Sequence, residues 1–253
     1  MEADLESPSP RLLALGDSAW TVEFGDRIDP DLHAKVLGLA AALETARHGE
    51  ANHEWSAIVD VVPTFRSLTV HYNPLAADGE RLGAALIELS KSSGAGAQQG
   101  RHWLIPVCFD DEFAPDLAEL AQVKGLTRAA VIALLTEATF QVYMIGFMPG
   151  FPYMGGLPPA LEIARLATPR KAVPARSLAI AGSMCAVYPW ESPGGWRLLG
   201  RTPVPMFSLA DSASPSLLAS GDRVRWQAID RSRHLELEAA VKAGTFPRGS
   251  LLA

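Results

Sequence analysis

Glycine and proline are packed so densely from Gly146 to Leu198, and on to Phe207, that the backbone of this stretch has few paths open to it. It reads GFMPGFPYMGGLP, then TPRKAVPARSLAIAG, then YPWESPGGWRLLGRTPVPMF. Glycine admits backbone angles closed to other residues and proline fixes φ, so GFMPGFPYMGG describes a rigid apolar loop rather than a flexible linker. Such a loop, cornered by Pro149 and Gly150, holds Phe147, Phe151 and Tyr153 as the wall of a pocket. Arg165, Arg170, Arg176, Arg197 and Arg201 supply planar forks that match carboxylate or phosphate. The pattern points to a site for a small anion. Taken singly, a Gly or Pro is more often a structural corner, an Arg a solvated charge and an aromatic a core residue. The concentration of all three in one stretch is what points to a site.

Composition excludes several other classes. With 253 residues, 48% of them hydrophobic, the chain is long enough for one or two domains with a substantial core. Against 28 acidic residues stand 22 basic ones, a net charge of −6, and no Lys/Arg run appears, which argues against nucleic acid as a partner. Cys108 and Cys185 are too few for a disulfide framework or a cysteine-rich zinc site, as expected of a reducing compartment. Small apolar neighbours mark Cys185 as a packed thiol rather than a nucleophile. The opening MEADLESPSPR lacks the apolar core of a signal peptide, and no stretch has the ~18 apolar residues of a membrane span. The expected location is cytoplasmic, with no membrane partner.

Periodicity predicts the elements. Residues 11–24 alternate as one strand, with Leu13, Leu15, Trp20, Val22 and Phe24 on one face. Asp29 and Pro30 open a helix whose stripe is Leu32, Val36, Leu39, Ala40 and Leu43 and which Gly49 ends. Residues 56–62 and 66–72 read as strands around Pro63, and Asp78 caps a second helix bearing Leu82, Leu86 and Leu89. This β-α-β-β-α order, which one further strand would close, predicts a ferredoxin-like α/β sandwich over residues 1–91. SSGAGAQQG, residues 92–100, reads as a linker. Residues 101–253 then form a mainly β domain: HWLIPVCF as a strand, helices near 116–124 and 127–138, and short strands with Gly and Pro corners from Gln141 onward, a pattern of closed barrels.

Standard catalytic signatures are absent: no G-x-x-x-x-G-K-[ST] phosphate loop, no G-x-S-x-G elbow, no H-E-x-x-H and no metal-ligand cluster, so no metal site is expected. The six histidines, His33, His48, His53, His71, His102 and His234, all lie outside the Gly146–Phe207 run. A His general base from the run is excluded, while one reaching it from another segment stays open.

GFMPGFPYMGGLP followed by PR, VPARSLAIAG, YPWESPGGW and LLGRTP resembles the signature of the 5-oxoprolinase B-subunit family, also known as allophanate hydrolase subunit 1 or the KipI family. ALGDSAWTVEFGD, VVPTFRSLTVHYNP and FAPDLAELAQVKGLTRAAVI extend the likeness over nearly the whole chain, in order. The resemblance implies a cyclophilin-like barrel as the second domain. It also implies a subunit, inactive alone, of an ATP-dependent 5-oxoprolinase that opens 5-oxo-L-proline to L-glutamate through carbonyl phosphorylation. A- and C-subunit homologues would be its partners, with the ATP site shared with a partner subunit and Mg as the accompanying ion. Arg165, Arg170 and Arg201 are then the expected catalytic cations. Phe147, Pro149, Gly150, Phe151, Tyr153, Arg176, Ser177, Tyr188, Ser192, Gly194, Gly195 and Trp196 are the expected substrate contacts.

The chain departs from the family pattern at Arg176, where relatives carry Gly, and at Met184–Cys185, where they carry Gln-Thr. Arg165 keeps the arginine of a Pro-Arg pair without its proline, and Leu135 stands where a His is usual. Two other readings stay open: a KipI-type inhibitor of a sensor histidine kinase, and allophanate- or urea-type amide hydrolysis or carboxyl transfer.

Overall fold

Strand alternation predicts one strand over residues 11–24, but the chain folds it into a hairpin. In the computed structural model, which describes residues 9–48, 55–93, 100–212 and 214–253, β1 (Arg11–Ala14) pairs antiparallel with β2 (Ala19–Glu23), Leu12 opposite Val22. Gly16, at a φ of 63°, supplies the turn that a side chain resists. Leu13 and Leu15 are therefore 41% and 53% exposed instead of sharing the core face with Val22 and Phe24.

The chain divides into two compact units, Met1–Gln99 and Gly100–Ala253. In the first, α1 (Pro30–His48) starts where the Asp29 carboxylate accepts from the N–H groups of Asp31 and Leu32. β3 (Ile58–Pro63) and β4 (Ser67–Tyr72) follow, then α2 (Gly79–Ser92), capped by the Asp78 side chain. The sheet order is β1-β2-β4-β3, antiparallel throughout. The central β2-β4-β3 order fits the expected β-α-β-β-α reading. The fourth edge is filled by β1, which precedes β2, whereas a ferredoxin-like sheet takes a strand after α2 there. Val36, Leu39 and Leu43 of α1 and Leu82 and Leu86 of α2 pack on Val22, Leu68 and Val70 as one core. Of the expected linker, residues 94–99 lie outside the described residues. Ser92 ends α2, and Gly100 packs against the Gly221 backbone so closely that a Cβ has no room.

The second unit runs β5 (His102–Cys108), α3 (Leu117–Lys124), α4 (Arg128–Glu137), β6 (Phe140–Ile145), β7 (Pro152–Gly155), β8 (Arg170–Val173), β9 (Ser177–Ala181), β10 (Met184–Val187), β11 (Ser192–Gly194), β12 (Arg197–Arg201), β13 (Arg223–Ile229) and α5 (Arg231–Lys242). Seven strands close a barrel in the order β10-β7-β6-β13-β5-β12-β9, while β8 and β11 form a separate two-stranded sheet. The closing pair β13–β5 is parallel, in register from Arg223↔His102 to Ile229↔Cys108. Inside, Ile105, Val107, Phe140, Val142, Leu178, Ile180, Leu199 and Trp226 fill the core. Leu135 is fully buried there. Among the described residues no helix is long and apolar enough to cross a membrane.

Asp222, 2% exposed, locks the mouth of the closing pair. Its carboxylate accepts from the Arg101 N–H (2.9 Å), Arg101 Nη2 (2.9 Å), the Trp103 indole (2.8 Å) and the Ala219 N–H (3.0 Å). Asp222→Ala leaves these donors stranded and is expected to cost about 3–5 kcal/mol in urea unfolding. Asp111→Ala, which removes an exposed pair with Arg128, is expected to cost less than about 1 kcal/mol. Equal losses would show that Asp222 is not the lock.

Candidate functional site

β9 alternates two kinds of residue. Leu178 and Ile180 face the barrel core, while Ala179 and Ala181 turn outward. With Ala186 of β10 and Leu198 of β12 they form a shallow apolar floor on the outer wall. Small side chains leave room for rings, and Phe151, Tyr188 and Trp196 occupy it, fully or nearly buried. Phe151 is central: its ring lies 4.9 Å from Tyr153, 5.1 Å from Tyr188, 6.0 Å from Trp196 and 5.4 Å from Phe147, mostly in edge-on or tilted contacts.

The loop between β6 and β7 delivers these rings by strained geometry. Phe147 adopts a φ of 66° and is 64% exposed, an unusual state for a bulky residue. Gly150 sits at a φ of 79°, and a Cβ there would lie 2.7 Å from Phe207 Cβ and 2.9 Å from the Met206 carbonyl. Pro149 is exposed at this corner. Opposite, β8 and β11 pair, Gly194 against Arg170 and Ser192 against Val173. A Cβ on Gly194 would run into the Tyr188 hydroxyl, so glycine is needed for that approach. Gly195 has only ordinary contacts around it, and Ser192 Oγ is buried without a hydrogen-bond partner.

Arg165 Cζ stands 5.7 Å from the centre of the Trp196 ring. It is exposed, and no hydrogen bond or ion pair is drawn to it among the described residues. Burial pushes the hydroxyls of Tyr153 and Tyr188 up, partly offset by the nearby Arg165 charge. Both therefore remain neutral donors near pH 7. Met184 packs against this cluster. Cys185 points into the barrel core, where burial pushes its thiol far up and makes it inert.

Arg170 is placed differently from the expectation of a fork aimed at ligand. Its Nη2 donates to Asp116 Oδ1 at 2.6 Å and its Nη1 to the Trp196 carbonyl at 3.4 Å. Asp116, 4% exposed, also accepts from the Leu198 N–H at 2.6 Å. Arg170 is thus a strut between β8 and the start of α3, its charge already matched.

Arg176, Ser177 and Arg201 gather in a second cluster around α5. Arg176 has a φ of 68°, a backbone state that favours glycine. Its guanidinium donates to Glu238 Oε1 at 2.6 Å and to the Pro203 carbonyl at 2.9 Å. Ser177 Oγ donates to the Pro174 carbonyl at 2.8 Å. The Arg201 Cζ lies 5.1 Å from the centre of the Phe113 ring, and its Nε is buried without a partner. Burial, with the Arg176 charge nearby, lowers its pKa.

Three members of this cluster, Phe113, His234 and Glu238, escape a reading centred on the Gly–Pro run. His234 is 1% exposed, stacks on Phe113 at 4.4 Å and is the one buried side chain of α5. A lone histidine in a helical stretch whose leucines and valine are not buried was the available signal. Burial lowers its pKa, as do the Arg176 and Arg201 charges, against an opposing effect of Glu238.

The chain resembles known proteins over most of its length. A family model described as carboxyltransferase domain, subdomain C and D, matches residues 10–218. The 5-oxoprolinase B subunit of Bacillus subtilis (strain 168) is 34% identical over 229 residues, covering 85% of this chain and 91% of the relative. That of Haemophilus influenzae is 41% identical over 169 residues, covering 67% and 78%. Among solved structures, that of TTHA0988 is 34% identical with a TM-score of 0.72, and the chain covers 40% of it. The K. lactis urea amidolyase, 20% identical, shares the fold at a TM-score of 0.76 over 97% of this chain and 16% of its own.

Arg170→Ala uncovers the buried Asp116 carboxylate and is expected to lower unfolding free energy by about 2–4 kcal/mol. Asp116→Asn with Arg170→Ala should recover part of that loss, because no unpaired charge stays buried. A single variant as stable as wild type in chemical denaturation would remove the strut.

Proposed function

Because the chain belongs to the family of carboxyltransferase domains, subdomain C and D, we propose that it is the B subunit of an ATP-dependent 5-oxoprolinase. The enzyme opens the lactam of 5-oxo-L-proline to L-glutamate, with A- and C-subunit homologues as partners and no activity in this chain alone. The observation that carries the reading is Arg165, a cation over the Trp196 ring and close to the Tyr153 and Tyr188 hydroxyls, with no carboxylate drawn to it. A flat five-membered ring bearing one carboxylate fits such a place: the anion meets the guanidinium fork and the ring meets aromatic faces.

A lactam resists water because amide resonance stabilises it, and phosphorylation of the carbonyl oxygen removes that protection. ATP supplies the phosphoryl group when bound. Among the described residues no group of three or more His, Cys, Asp or Glu side chains converges. A magnesium ion is usually held by one or two carboxylates together with the phosphates, and we assign nucleotide binding to the assembled complex. This chain's part is to bind and orient the lactam: Arg165 holds the carboxylate, and Phe147, Phe151 and Trp196 exclude water.

In a complex reconstituted with A- and C-subunit homologues, Arg165→Ala is expected to lower kcat/KM for 5-oxoproline-dependent ATP hydrolysis about ten- to a hundred-fold, the worth of one charge-assisted contact. Its melting temperature should match wild type, since the side chain is exposed. A complex that releases no glutamate would overturn the reading, and full activity in Arg165→Ala would move the carboxylate elsewhere.

A further inference from the structure

Asp116 stands at the N-cap of α3, where an aspartate normally accepts hydrogen bonds from the first free N–H groups of its own helix. Its carboxylate makes no such bond. Both oxygens are turned to the barrel instead: Oδ2 accepts from the Leu198 N–H at 2.6 Å and Oδ1 from Arg170 Nη2 at 2.6 Å, while the Asp116 N–H donates to the Leu198 carbonyl at 3.1 Å. β12 has room for this partner, because its pairing with β5 is confined to Arg201↔Cys108. At Leu198 the strand pairs with β9 on one side, and Asp116 takes the place of a strand on the other. The second arm of the Arg170 fork, Nη1, reaches the Trp196 carbonyl at 3.4 Å. Asp116 and Arg170 thus grip the backbone at Trp196 and two residues beyond it.

The other half of the cation–π pair is tied to the same stretch. Around Arg165, the Ile163 carbonyl accepts from the Gly182 N–H at 2.7 Å, and the Leu166 N–H donates to the carbonyl of Gly195, the residue before Trp196, at 2.7 Å. We propose that Asp116 and Arg170 are positioning residues for the carboxylate site: through the Trp196 backbone they hold the indole under the Arg165 guanidinium, 5.7 Å from its Cζ, and so fix where that fork presents itself. The inference rests on the reading of Arg165 as the carboxylate anchor. An exposed arginine is rich in rotamers, and a fixed ring face beneath it removes part of that freedom before the ligand arrives. The cap that α3 forgoes is thereby used to preorganise a site on the barrel's outer wall.

Arg170→Lys separates this role from folding. An ammonium keeps a charge partner for the buried Asp116 carboxylate but has no second arm for the Trp196 carbonyl. In the reconstituted complex it is expected to raise KM for 5-oxo-L-proline about three- to tenfold with kcat within about twofold of wild type, since the anchor holds ground and transition states alike. In an Arg165→Ala background the same substitution should leave KM unchanged, because its effect passes through Arg165, whereas a merely structural strut costs the same in both backgrounds. Asp116→Asn, which keeps an acceptor for the Leu198 N–H but releases Arg170, should behave alike and serves if the lysine variant does not assemble. Thermal melts of each variant separate folding from positioning. A wild-type KM in both variants, or an equal rise with and without Arg165, overturns the positioning role and leaves the Arg165 site standing. Wild-type kinetics in Arg165→Ala alone overturn both.

Discussion

The parallel pairing of β13 with β5 is the constraint on which the second unit depends. It joins the first strand of the barrel to the last, so the wall closes only when the C-terminal segment returns. Its register places Ile229 beside Cys108, and β12 places Arg201 beside the same Cys108. The chain after Ile229 therefore leaves the barrel at the rim where Arg201 lies. Asp230 caps α5 there by accepting from the Arg233 N–H at 2.8 Å. His234, in the first turns of α5, is carried to Arg201 by topology rather than by nearness in sequence. Asp222 holds the other end of the pairing.

A second constraint shapes the outer wall. A barrel strand with one face in the core normally shows its other face to water, yet β9 is buried along its whole length. Alanines on the outward side make that possible, because their small size leaves room for Phe151, Tyr188 and Trp196 to pack against the wall. The rings need a scaffold, and the β8–β11 sheet and the β6–β7 loop supply it. Phe147 and Arg176, both non-glycine residues at positive φ, each carry about 1–3 kcal/mol of backbone strain. One borders the aromatic cluster and the other the α5 cluster.

Much of this was legible in the sequence, and the limits have physical causes. The Gly–Pro run marked the aromatic cluster because turn chemistry is local: Gly150 is in fact at positive φ, where its Cβ would strike Phe207. Helix starts at Asp29, Asp78 and Thr127 were readable because caps act within three residues. The hairpin at Gly16 was missed because the apolar alternation changes phase there, from Leu13 and Leu15 to Trp20, Val22 and Phe24, and one strand was read across the break. Charge pairing was invisible for a different reason. Arg170 and Arg176 are matched by Asp116 and Glu238, acids from α3's cap and α5 that no spacing rule connects to the run. An arginine-rich stretch thus looks more cationic in sequence than it is in the fold, and Arg165 and Arg201 stand out only once the pairs are drawn.

The proposed site for a small anionic lactam is the aromatic cluster beside Arg165 in the barrel unit. Hydrogen exchange of the reconstituted complex, compared with and without saturating 5-oxo-L-proline, tests that placement most directly. Exchange is predicted to slow in residues 146–153 and 188–198, with residues 11–48 unchanged. Lactam-dependent protection confined to Met1–Gln99 or to the partner subunits, in a complex that still releases glutamate, would contradict it.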